Sequence, residues 1–260
     1  MKLRIAPSPT GHLHIGNART ALFNWLYARA NNGTFLVRID DTDTARSSEE
    51  YINDIVKNFK WLGIDWDEGI QVGGPHGEYK QSLRFDRYRE IAESLLSRGL
   101  AYEDEGAIRF KVPNENSIVF DDITRGSMKF ELSDVEDFII LRSDKSPTYH
   151  LASTVDDIDY EITTIARGED ILSSTPKHIL LMQALNADVP TFCHLPLLFG
   201  PDGKKLSKRH GDTSVSSFRD MGLLPEALFN YMCLLGWAPG NDLEIFDKDF
   251  INTVLKDPPP

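Results

Sequence analysis

The opening of this chain constrains its fold more than any other stretch. Leu3-Arg4-Ile5-Ala6 is a short apolar strand ended by the turn-rich Pro7-Ser8-Pro9-Thr10-Gly11. A helical pattern runs over residues 15–31, with Ala18, Ala21, Leu22, Trp25, Leu26 and Ala28 on one spacing, and Asn31-Asn32-Gly33 stops it. Thr34-Phe35-Leu36-Val37-Arg38-Ile39 is a second strand, closed by the acidic turn Asp40-Asp41-Thr42-Asp43. Strand, glycine-bearing loop, helix and strand in this order form the first half of a parallel nucleotide-binding fold.

Ser47-Ser48-Glu49-Glu50 reads as the start of a second helix, with Tyr51, Ile52, Ile55, Phe59 and Leu62 as its apolar stripe. Between about residues 107 and 151 the period changes to short alternating runs around Ile108, Met128 and Phe138, which suggest an antiparallel insertion. The α/β rhythm returns with a strand over residues 162–167 and a helix capped by Thr175 with Pro176 as its first residue. A strand follows over 191–195, then helices near 216–221 and 225–235, and a tail, Asp257-Pro258-Pro259-Pro260, that cannot continue a helix. The expected fold is α/β: a Rossmann-type parallel fold with an inserted small α+β connective subdomain and a short C-terminal helical region. The expected division is residues 1–100 and 151–200 for the two Rossmann halves, 101–150 for the insertion, and 201–260 for a basic loop and helical stem.

Composition narrows the functional classes. A net charge of −12 argues against bulk, nonspecific nucleic-acid binding, yet residues 203–211 carry four Lys or Arg and no acid. No run of about 18 apolar residues is present, so no transmembrane helix is expected. The N-terminus has no apolar signal core, and Cys193 and Cys233 lack the paired spacing of a metal site, so they read as buried free thiols of a cytoplasmic protein.

Two constellations carry chemistry. Residues 7–17 join a strand end to a helix start, where backbone N–H groups and the helix dipole favour an anion. Gly16 lets a flat ring or a phosphate approach the backbone, and His14 can donate a hydrogen bond to a phosphate oxygen. The second is Lys204-Lys205-Leu206-Ser207-Lys208-Arg209, with Lys205 lying 191 residues (205 minus 14) after His14. Lys205 and Lys208, three apart on a glycine-flanked loop, can both reach a triphosphate as it gains charge in a transition state.

The pair resembles the HIGH and KMSKS signatures of class I aminoacyl-tRNA synthetases, and within that class is most similar to glutamyl-tRNA synthetases. The likeness extends through Arg4-Ile5-Ala6-Pro7-Ser8-Pro9-Thr10-Gly11, Ala18-Arg19-Thr20-Ala21, Asp41-Thr42-Asp43, Arg167-Gly168-Glu169-Asp170, Leu206-Ser207-Lys208-Arg209-His210-Gly211 and Leu235-Gly236-Trp237. It implies that His14, Gly16, Asn17, Lys205 and Lys208 handle ATP with Mg2+, and that Arg4 pairs with the side-chain carboxylate of L-glutamate. Ala6 and Ser8 would line the same pocket, Asp40 would hold the substrate ammonium, Tyr149 and Arg167 would contact the amino acid, and Glu169 would lie near the tRNA end. Asp40 stands where relatives often carry Glu, and Ser153 where Asn is frequent.

Two departures bear on function. Full-length glutamyl enzymes continue into helical domains that read the anticodon, and this chain ends about 20 residues after Leu-Gly-Trp. The chain also skips, after Tyr102, a stretch that in many relatives holds cysteine zinc ligands, and no zinc site can be assembled from its two cysteines. Three readings follow: a glutamate–tRNA ligase core acting on tRNA(Glu), expected as a monomer off the membrane; a paralogue of the glutamyl-queuosine tRNA(Asp) synthetase type; and a non-catalytic binding module that keeps the fold.

Overall fold

Strand β1 (Lys2–Ile5) is buried from Leu3 onward and leads through the proline-rich loop into α1 (Ile15–Ala30) and β2 (Thr34–Val37). The structure is a computed structural model describing residues 1–114, 117–200, 202–204, 206, 213–237, 244, 245, 247 and 249. β1 and β2 pair in parallel with Leu3 opposite Phe35 and Arg4 opposite Leu36, the arrangement that the first segments of the sequence require. α1 packs against both strands, and its small Ala18, Ala21 and Ala28 are fully occluded, so the backbones approach closely.

Helix α2 (Glu49–Trp61) starts as read from sequence: the Ser48 side chain accepts from the Tyr51 N–H, a cap of about 1 kcal/mol. After β3 (Glu68–Gly69) and α3 (Phe85–Ser97) the insertion divides. β4 (Ala101–Asp104) and β5 (Ala107–Phe110) form an antiparallel sheet with a later strand, while β6 (Ser117–Asp122) and β7 (Gly126–Glu131) form a hairpin. That later strand is β8 (Phe138–Leu141). The chain continues through α4 (Tyr149–Asp159), β9 (Thr164–Gly168), α5 (Thr175–Ala184), β10 (Thr191–Leu195), α6 (Val215–Asp220) and α7 (Pro225–Leu234).

Among the described residues the main sheet has the order β3-β2-β1-β9-β10-β6-β7, parallel except for β7. The hairpin therefore belongs to the central sheet, docked on β10 through Phe192 opposite Asp122. The sheet runs outward from β1 toward β2 on one side and toward β9 on the other, so its topological switch point lies between β1 and β9. Two side chains bind the layers across it. Asn24 of α1 donates to the Ala166 carbonyl of β9 at 3.1 Å, and Trp25 meets Phe229 of α7 edge to face at 6.1 Å.

Helix α5 starts one residue before its expected position. Ser174 is the N-cap and Thr175 is already helical, because the Thr175 hydroxyl is taken by Arg167 instead of by the helix end. The Pro-rich tail lies outside the described residues. No helix among the described residues is long and apolar enough to cross a membrane.

Candidate active site

A cavity of about 490 Å³ opens at the carboxyl ends of β1 and β9, where an open parallel sheet presents its loops to a ligand. Arg4, Ala6 and Ser8 reach its wall from β1, and His14, Gly16 and Asn17 from the start of α1. Asp40 follows β2, Tyr149 and Ser153 come from α4, and Arg167 ends β9. The sequence is therefore brought together from five separate segments. Glu169 does not line the cavity: it pairs with Arg125 and accepts the Leu197 N–H at 2.9 Å. Lys205 and Lys208 lie outside the described residues. Their neighbour Leu206 lines the same cavity as His14 and is tied down by its N–H to the Leu198 carbonyl, 2.7 Å.

The two motif regions are joined directly. Ile15 donates to the Thr213 carbonyl at 2.9 Å, Val215 donates to the Leu13 carbonyl at 2.8 Å, and His14 bridges Ser214. The chain leaving the basic loop is thus stitched to the loop that carries His14. His14 caps α1 in extended conformation, its Nδ1 accepting from the Gly16 N–H at 3.0 Å. That bond fixes the neutral tautomer, with the remaining proton on Nε2 as the donor. It also changes the anion site expected from sequence: the N–H groups of Ile15 and Gly16 are engaged within the protein, which leaves the Asn17 N–H, the imidazole and the helix dipole. No acid in the first turn of α1 opposes that dipole.

Beneath the cavity floor lies a buried ionic cluster. Arg4 meets Asp157 through Nε and Nη2 at 2.9 and 3.0 Å, and Arg38 meets the same carboxylate at 2.8 Å. Arg38 also grips Asp40 at 2.6 and 3.2 Å and donates to Ser153 at 3.2 Å. Burial drives Asp40 and Asp157 toward the neutral acid; Arg4 and Arg38 overcome it at Asp157, whose carboxyl is held low, whereas Asp40 remains raised. Asp40 is thus already countered before any ammonium arrives, and Ser153 serves the arginine behind it.

Two wall arginines differ from this pattern. Arg167, 4% exposed, hydrogen-bonds to His194, His178 and Thr175, all neutral, and burial lowers its affinity for its proton. Arg19, 3% exposed, donates to the Pro196 carbonyl at 2.7 Å, while its Nε is buried without a hydrogen bond; desolvation pulls its pKa down to about 10. Among the described residues neither has a carboxylate in contact. Two guanidinium charges without a carboxylate in contact, set in a low-dielectric wall, would favour an anion in the cavity.

The sequence matches the family described as tRNA synthetases class I (E and Q), catalytic domain, over residues 1–107 and 105–256. The chain belongs to that family. It is 50% identical over 256 residues to a glutamate–tRNA ligase of Acholeplasma laidlawii, covering 95% of this chain and 57% of that protein. It is 45% identical to a glutamate–tRNA ligase of Carboxydothermus hydrogenoformans, covering 96% of this chain and 61% of that protein. The fold is similar to the crystal structure of a glutamate tRNA ligase from Elizabethkingia meningosepticum in complex with its amino acid. That likeness has a TM-score of 0.88 and 33% identity over 99% of this chain and 65% of that one. The chain thus spans 57% and 61% of the length of these two curated relatives.

Several site residues were not read from the sequence. Arg38 and Asp157 carry a recoverable signal: a charge directly after the apolar strand Phe35-Leu36-Val37, and two acids, Asp156-Asp157, on an otherwise apolar helical turn. Asp122 and His194 carry none, because their roles depend on the docking of β6 on β10.

Proposed function

We propose that this chain activates L-glutamate with ATP and transfers it to the 3′ end of tRNA(Glu). The observation that carries the reading is the pair of buried wall arginines without acid partners, Arg167 among the amino-acid-pocket residues and Arg19 on the side of His14. An amino acid with two carboxylates and a triphosphate supply the missing negative charge. Arg4, whose Nε/Nη2 edge is held by Asp157, would offer its end-on edge to the substrate side chain. Neutral glutamine would offer the end-on edge of Arg4 no carboxylate, which is the basis of discrimination.

In this reading the glutamate α-carboxylate oxygen attacks the α-phosphorus of ATP, the bond to the bridging oxygen breaks, and pyrophosphate leaves. The His14 Nε2–H and the dipole of α1 stabilise phosphate charge from one side, and Lys205 and Lys208 from the loop opposite. The ribose 2′-hydroxyl of the tRNA end then attacks the activated carbonyl and AMP departs. Magnesium, which the family resemblance implies, would supply positive charge to the nucleotide phosphates.

Charging assays with tRNA(Glu) and with queuosine-bearing tRNA(Asp) test the reading. Glutamate attached to the terminal ribose of tRNA(Glu) is the expected result. Modification of the queuosine base alone would assign the chain to the paralogue, and no product with either tRNA would leave a binding module.

A further inference from the structure

Tyr149 meets Arg167 from the cavity wall, and three further partners, none of them lining the cavity, hold it from behind. Its Nε–H donates to Nε2 of His194 at 3.1 Å, its Nη2 donates to the Thr175 hydroxyl at 2.8 Å, and its Nη1 lies 3.2 Å from Nδ1 of His178. A guanidinium only donates, so each partner must present a lone pair. For His194 this requires a neutral ring with its proton on Nδ1, and Nδ1 faces Oδ2 of Asp122 at 2.5 Å. The Thr175 oxygen accepts from Arg167 and lies 3.1 Å from the same Nε2.

Asp122 and His194 are 3% and 0% exposed. The second oxygen of Asp122 accepts the backbone N–H of Thr124 at 3.0 Å, that of Arg125 at 3.2 Å and the Thr124 hydroxyl at 2.8 Å. Burial favours the neutral acid here, but the hydrogen bonds from His194 and Thr124 hold the carboxyl well below the usual range. With both oxygens committed to donors, the ionised Asp122 leaves His194 a single tautomer. The pair has the make-up of a general base, yet its Nε2 is covered by Arg167 and Thr175, and no substrate proton can reach it.

We propose that Asp122 and His194 are positioning residues for Arg167: the carboxylate sets the histidine tautomer, the histidine sets the guanidinium plane, and the inserted β6–β7 hairpin thereby tunes the amino-acid site. This rests on Arg167 contacting the amino-acid carboxylate, as in the proposed function. Asp122→Asn is the informative change. Its amide oxygen must stay with the two backbone N–H groups, so its NH2 turns to His194. The histidine then moves its proton to Nε2, opposite the Arg167 N–H, as other aspartate-to-asparagine changes behind a histidine do.

The test reads glutamate affinity by calorimetry, and KM for glutamate and ATP by pyrophosphate exchange with tRNA present, all on the full chain. Asp122→Asn is expected to raise the glutamate Kd and KM by about tenfold or more while leaving the ATP KM within about twofold. His194→Gln, whose amide can give its oxygen to Arg167 and an N–H to Asp122, is expected to keep most of the binding that His194→Leu loses. Parental glutamate affinity in Asp122→Asn, or equal losses in the two His194 variants, overturns the proposal. If Asp122→Asn does not fold, the His194 pair decides. Arg167→Leu separates the two levels: unchanged glutamate affinity there defeats the pocket assignment itself. Loss there with parental behaviour in Asp122→Asn defeats only the positioning role.

Discussion

Asp157 holds Arg4 through both carboxylate oxygens, at 2.9 and 3.0 Å, with Asp157 fully occluded and Arg4 4% exposed. The residue that the sequence assigns to the substrate is thus also part of the frame, and the same carboxylate steadies Arg38.

Removing the shared anion strands the buried Arg4 and leaves Arg38 to Asp40 and Asp156. Asp157→Asn is expected to lower the unfolding free energy by about 3–5 kcal/mol, read as a fall in the urea midpoint with an unchanged m-value. A change below about 1 kcal/mol would show that the cluster is solvated and not buried. Arg4→Ala is expected to be milder, because Asp157 retains Arg38, and its loss of glutamate binding should exceed its loss of stability.

Gly16 faces the ring it serves. A Cβ there would lie 3.3 Å from Nδ1 of His14, so the imidazole must move or lose its bond from the Gly16 N–H. Gly16→Ala should cost about tenfold to a hundredfold in kcat/KM for ATP with little change in thermal midpoint. Steady-state kinetics with varied ATP measure this; an unchanged value removes His14 from the phosphate site.

Gly236 has φ of +125°, and a Cβ on it would sit 2.3 Å from Nη2 of Arg19. Gly236→Ala therefore meets both backbone strain and a blocked neighbour, and should destabilise by about 1–3 kcal/mol. It should also loosen the Arg19 bond to the Pro196 carbonyl, raising the ATP KM. A stable variant with parental kinetics would contradict the assignment.

Acid should weaken the fold through its histidines. Burial, with Lys177 and Arg167 nearby, pulls His150 from 6.5 down to about 4, and burial lowers His178 and His194 as well. The folded chain then binds fewer protons than the unfolded chain, so this contribution is complete above about pH 6.5 and is lost as pH falls toward about 4. Asp156, pushed up to about 6 by burial, opposes this over the same range, so the histidine contribution is read by comparison: His150→Asn should lose less stability than the parent in urea titrations between about pH 6.5 and 4. An equal loss in parent and variant would mean that the His150 ring is hydrated.

The parallel α/β frame was legible because its signals are local: a strand, a breaker-rich loop and an apolar-rich helix follow one another directly in the chain. The cavity residues Arg4, Ala6, Ser8, His14, Gly16, Asn17, Asp40, Tyr149, Ser153 and Arg167 were legible through motif resemblance, and one cavity gathers them. What stayed hidden is pairing over long sequence separations. Strand β6 was missed, since Ser117-Ile118-Val119-Phe120 becomes a sheet strand only by docking on β10. Arg38 reads as the end of a strand, and nothing short of folding puts Asp157, 119 residues away, against it. Thr175 was read as a cap because its hydroxyl suits that role; the buried Arg167 competes for it and wins.

The most direct measurement is pyrophosphate exchange into ATP, run with glutamate, glutamine or aspartate, with and without tRNA(Glu). The account predicts exchange with glutamate alone, dependent on Arg167 and His14 and strengthened by the tRNA. Absence of exchange under every tRNA condition, or equal exchange with glutamine, would contradict a cavity built to join two anions.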